Sequence, residues 1–173
     1  MKGSPCAAVL LACLLAQGCG YRLAGGGSGV LPPTVQVVAV TTFENRTART
    51  EIEQRVTEEV AREFSRRGRY KVVTDPVGAD ALLEGAITDF RTNPVQFNAE
   101  GRATRVETVV LLRATLRDLK TDQVLWQQAN LPFREQYDVP ESALDISDTE
   151  TLALEEIARG AAGALVSSIL EGF

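Results

Sequence analysis

From residue 34 onward the chain switches between two hydrophobic periods. Residues 34–43, TVQVVAVTTF, are dense in β-branched side chains and apolar at successive positions, which predicts a central strand buried on both faces. Glu44-Asn45-Arg46-Thr47 then turns the chain. Beyond it the period lengthens: Ile52, Val56, Val60, Ala61 and Phe64 fall on one stripe at helical spacing. Thr50 and Glu53 have the spacing of a capping box, in which each side chain satisfies a backbone N–H that the first turn leaves open. Arg66 and Arg67 suit the negative end of the helix dipole, and Gly68 suits the C′ position.

Residues 70–74 predict a short strand, ended by Asp75-Pro76. Residues 81–92, ALLEGAITDFRT, predict a longer one that stops at Asn93-Pro94, with Gly85 marking a bulge or a close backbone approach. The period of two is clearest over 104–119. Val106, Thr108, Val110, Leu112, Ala114 and Leu116 make one face, and Arg105, Glu107, Arg113, Thr115 and Arg117 dominate the other. One wet face means an antiparallel sheet covered on one side only. Lys120-Thr121-Asp122-Gln123 forms the hairpin turn, and residues 124–137 return, with Pro132 pointing to an edge or a bulge.

After a loop rich in Asp, Pro and Ser, a second capping box at Ser147-Asp148-Thr149-Glu150 opens a final helix. Its stripe is Leu154, Ile157, Ala158, Ala161, Leu165 and Ile169, and Gly160 and Gly163 permit close approach to the sheet. The order β-α-β-β-β-β-α predicts an α+β two-layer sandwich. A mostly antiparallel or mixed sheet of four to five strands carries both helices on one face, in a single domain over 34–173.

The first 33 residues follow other rules. Met1-Lys2 is a minimal positive start, and residues 6–16 are apolar over the length of a secretory signal core. Gly18 is the small residue before Cys19 that a signal peptidase needs, and a bacterial lipoprotein signal has this form. Ala16 stands where such signals usually carry Leu. Leu10-Leu11-Ala12-Cys13 fits that consensus better but leaves too short an apolar core, so Cys19 is favoured over Cys13 as the acylated residue. The division is then a signal peptide over 1–18, an acylated cysteine with a flexible Gly/Pro tether over 19–33, and the folded body. The glycines of the tether follow no strand and lack the Lys-Ser/Thr of a phosphate-binding loop.

Composition narrows the chemistry. The chain of 173 residues has no histidine, and all three cysteines, Cys6, Cys13 and Cys19, lie in the first 19 residues. Thiol nucleophiles, Ser-His pairs, disulfides and His/Cys zinc sites are thereby removed from the body. Glu58-Glu59 and Glu155-Glu156 are neighbours on helices and point in different directions, so neither makes a catalytic pair. No enzymatic activity, metal or cofactor is expected. A net charge of -5 argues against nucleic acid as a partner. No later apolar run is long enough to cross a bilayer as a helix.

Cys19-Gly20-Tyr21-Arg22-Leu23 resembles the CGY/F-x-L start of the lipopolysaccharide-assembly lipoproteins, the LptE family. VVAVTTFENRT, GRYKVVTDPVGADALLEGAITDF, TRVETVVLLRATLRD, VLW and the C-terminal helix follow in the order of that family, so the resemblance spans the mature chain. It implies an outer-membrane lipoprotein facing the periplasm, with Gly20 as its sorting signal. It also implies a body that plugs the lumen of the β-barrel translocon LptD, helps it assemble and engages lipopolysaccharide.

A ligand bearing lipid A phosphates asks for arginine or lysine. Six basic residues lie between Arg91 and Lys120, against Glu100, Glu107 and Asp118. Arg102 and Arg105, in the stretch FNAEGRATR where family members carry a basic strand-connecting loop, are the best candidates, with Arg91 beside them. The plainer alternative is that these arginines solvate a sheet face. From Glu135 to Glu156 there are eight acidic residues and no basic one, so a second basic contact is missing there. That block is expected to meet solvent, barrel loops or the basic stretch 62–71. VVAVTTFENRT and ADALLEG also resemble ring-forming secretion subunits of the curli-export type, which is the alternative function.

Overall fold

Among the described residues of the computed structural model (31–67, 70–139 and 146–171), six strands form one mixed sheet and two helices pack on one of its faces. In chain order these are β1 (Val37–Val40), β2 (Glu44–Asn45), α1 (Ile52–Arg66), β3 (Lys71–Val73), β4 (Ala81–Phe97), β5 (Ala103–Asp118), β6 (Val124–Asp138) and α2 (Ile146–Glu171). The sheet order is β3-β1-β4-β5-β6, with β2 pairing β4. β1 runs parallel to both β3 and β4, while β4, β5 and β6 form an antiparallel meander. The expected two-layer architecture holds, with the two-residue β2 added where a plain turn was expected.

The sequence patterns map onto the core directly. Val106, Thr108, Val110, Leu112, Ala114 and Leu116 of β5 are all buried beneath the helices. Ile52, Val56, Val60 and Phe64 of α1 and the whole expected stripe of α2 meet them. Ala61 is only partly buried. Arg55 pairs with Glu155 at 3.1 Å, and Arg67 reaches Ser167 and Glu171 at 2.7 and 3.0 Å. Contacts thus advance together along both helices, which lie side by side and parallel.

Two expectations need correction. β4 does not stop at Asn93-Pro94 but continues to Phe97. Past Ile87 it has only β5 as a neighbour, and the register slips between Pro94 and Gln96. Proline's missing donor is tolerated on such an open side and at such a bulge. Second, Thr50 does not cap α1. Glu51 occupies the cap position at φ 66 with no side-chain cap. Asn45 instead ties the segment ahead of the helix: its Nδ2 donates to Arg49 O and Glu53 Oε2, both at 2.7 Å, so Glu53 is no longer free to reach back. Of the acidic block, Asp138 pairs with Arg105 and Glu155 with Arg55, while residues 140–145 and the side chains of 146–150 lie outside the described residues. Cys19, the tether glycines, Gly68 and the side chains of the second capping box lie outside the described residues.

Candidate functional site

The face of the sheet opposite the helices carries the charge, and its layout follows from strand register. Residues paired across strands share a face. Near the turn to β6, Arg117 is opposite Leu82 and Val124, and Thr115 is opposite Glu84 and Gln127. Arg113 faces Ala86, which in turn pairs with Glu44. Further along, Val109 lies between Arg91 and Arg134, Glu107 between Asn93 and Gln136, and Arg105 between Gln96 and Asp138.

Residues 91–97 are exposed at every position, so this end of the meander projects past the helices as a finger. Asn98 fastens its turn by accepting from the backbone N–H groups of Glu100 and Arg102 at 3.1 and 2.9 Å. Gly101, at φ 76, takes a left-handed conformation that suits glycine. Val95 and Phe97 stand exposed beside it.

The three sequence-predicted arginines all fall on this finger, but they do not converge. Arg91 and Arg105 lie about four residues apart along the ladder, or ~13 Å, and each is engaged. Arg91 Nε donates to Asp89 at 2.8 Å, and Arg105 Nε donates to Asp138 at 2.7 Å. The hydrogen bond from Arg105 holds the Asp138 carboxyl below the usual range and raises its own guanidinium. Arg102, in the turn, has no ion pair among the described residues.

A fourth arginine escaped the sequence reading. Arg134 of β6 is exposed, without an ion pair among the described residues, and separated from Arg91 only by Val109. It falls outside the stretch 91–120 that was counted as basic. Two register shifts break the alternation of β6 between the turn and Arg134, so only the pairing places it on this face. The finger thus offers two uncommitted cations, Arg102 and Arg134, and two that would have to leave an existing carboxylate. Such groups can hold a phosphate or carboxylate by charge-assisted hydrogen bonds.

The opposite end of the meander is tied down. Asp80 Oδ2 accepts from the N–H groups of Gln36 and Val37, both at 2.9 Å, and Oδ1 accepts from Lys120 Nζ at 2.6 Å. Lys120 and the two N–H groups hold the Asp80 carboxyl far below its ordinary range. Asp118 accepts from the N–H groups of Thr121 and Lys120, which lower it as well. Among the described residues no group of three metal-ligating side chains converges. No helix is long and apolar enough to cross a membrane.

Residues 35–169 match the family described as LptE, lipopolysaccharide-assembly. The chain belongs to the LptE family. No curated protein matches it. Among solved structures it is similar to an uncharacterized lipoprotein B from Nitrosomonas europaea, with TM-score 0.52 and 18% identity over 89% of this chain and 97% of that one. A hypothetical protein from Chlamydia trachomatis gives TM-score 0.53 and 11% identity over 80% and 97%. A PelC dodecamer from Paraburkholderia phytofirmans gives 0.51 and 18% over 83% and 96%. At these identities the likeness is one of fold. LptE membership carries a role in lipopolysaccharide assembly and the outer membrane as its setting.

Proposed function

We propose that this chain is a non-enzymatic outer-membrane lipoprotein, anchored through Cys19, whose body plugs the lumen of an LptD-type β-barrel. There it helps the barrel assemble and assists lipopolysaccharide on its way to the outer surface. The observation that carries this reading is the helix-free face of the sheet within an LptE-family fold. The lumen of a transmembrane barrel is polar and wet, so a plug needs a charged outer surface without long apolar patches. The face provides that in charges most of which are paired within the chain.

Lipopolysaccharide, if engaged directly, meets the finger. Arg102 and Arg134 are free to take its phosphates, with Arg91 and Arg105 in reserve. The body works by shape and charge, since it has no thiol or imidazole past Cys19.

Affinity purification of the tagged full-length protein from native outer membranes tests the reading. Recovery of a large β-barrel at one-to-one stoichiometry is expected. A homo-oligomeric ring without a barrel would favour a channel subunit of the curli-export type instead.

A further inference from the structure

Away from the finger, the open face has a second polar feature. Where β4 and β5 run beside the segment leading into β2, a shallow depression of about 460 Å³ is lined by Thr42, Glu44, Glu84, Arg113, Arg117 and Gln127, among others. On this face most charges are answered within the chain: Arg91 by Asp89, Arg105 by Asp138, Arg117 by Asp122, and Glu44 by Arg46. Arg113 and Glu84 break that pattern. Neither makes an ion pair or side-chain hydrogen bond among the described residues. The carboxylate opposite Arg113 across Ala86, Glu44, accepts its hydrogen bond from Arg46 at 2.7 Å and meets Arg113 only through a weaker charge attraction.

Glu84 pairs with Thr115 and Arg113 lies two residues before it in β5, so the two charges are diagonal neighbours on one face. Arg113 is partly buried, and among the described residues its guanidinium meets no acceptor, which leaves its donors open to one from outside. A depression this open encloses too little of a small molecule to hold it well. It suits an extended protein segment laid across the strands.

We propose that this depression is the seat for a polar segment of the barrel partner, one that presents a carboxylate to Arg113 and a cationic side chain to Glu84. The seat rests on the plug reading and names the side of the body that meets the barrel. Thr42, Thr115 and Gln127 supply neutral donors and acceptors around the two charges.

The test uses full-length tagged protein and the purification described above, with Arg113→Glu and Glu84→Arg as single variants. Arg62→Glu, on the exposed side of α1, is the control. Each seat variant is expected to recover at least about tenfold less barrel per lipoprotein, as when one partner of a desolvated charge pair is reversed. The control keeps its barrel, and thermal unfolding of all three matches wild type. Should a reversal lower the melting temperature, Arg113→Gln and Glu84→Gln are read in its place, with a smaller loss expected. Undiminished recovery by the seat variants beside a wild type that holds its barrel overturns the seat and leaves the plug standing. So does loss confined to Arg62→Glu, which would move the contact to the helices. A wild type that recovers no barrel removes the plug reading itself, and the seat with it.

Discussion

Two glycines set how closely the layers approach. A Cβ on Gly160 of α2 would come within 2.2 Å of the Phe133 ring of β6, and one on Gly85 within 2.2 Å of the Phe43 ring. Gly163, three residues on, has open space around it. The sequence marks all three as breaks in a propensity pattern, but only the fold says which of them lies against an aromatic ring. Normally Gly→Ala inside a helix gains about 1 kcal/mol. At Gly160 the overlap reverses the sign, because forcing extra volume into packed surroundings costs roughly 1–3 kcal/mol. Gly160→Ala is therefore expected to lower the melting temperature by several degrees. Adding Phe133→Leu should return part of that loss, a non-additivity that reports their contact. A melting temperature raised by Gly160→Ala would show that the ring is not there.

At the scale of elements, what was legible followed from period. The six inward positions of β5 and the six-residue stripe of α2 are all buried, because one apolar face per element leaves a single way to pack. Less legible were features set by neighbours in space. The passage of β4 through Pro94 depends on its losing a partner strand beyond Ile87. The segment leading into α1 is tied by Asn45, seven residues ahead of the helix, and Arg134 joins the finger only through the register of β6. The finger therefore gives the element-scale prediction. Reversing both uncommitted cations, Arg102→Glu with Arg134→Glu, should reduce lipopolysaccharide retained by the full-length protein roughly tenfold, the size of one or two charge-assisted bonds. The wild-type retention should itself weaken as salt is raised. Retention by the double variant equal to wild type at low salt would return these arginines to the role of solvating a strand.

For the whole molecule, the finger is free at one end because the other end of the meander is fastened. Asp80 joins the start of β1 to the β5–β6 turn through Lys120, and its own N–H and C=O bond Val37 and Leu119. Asp80, Asp118, Glu63 and Asp138 all have carboxyls held below their ordinary values by hydrogen-bond donors. A carboxylate depressed in the folded state contributes stability that is complete above its unfolded value, near 4, and lost as pH falls toward the folded one. The chain has no histidine, so it lacks the side chain that ordinarily titrates between pH 5 and 8. The melting temperature should then be nearly level from pH 8 to 5 and fall steeply below about 4. Asp80→Asn removes the most strongly depressed of these groups. It should melt lower than wild type at neutral pH and lose less on acidification, so the two curves draw together below pH 4. A pronounced step near pH 6 in wild type, or parallel acid limbs in the two proteins, would mean that the fastening of this end is not electrostatic.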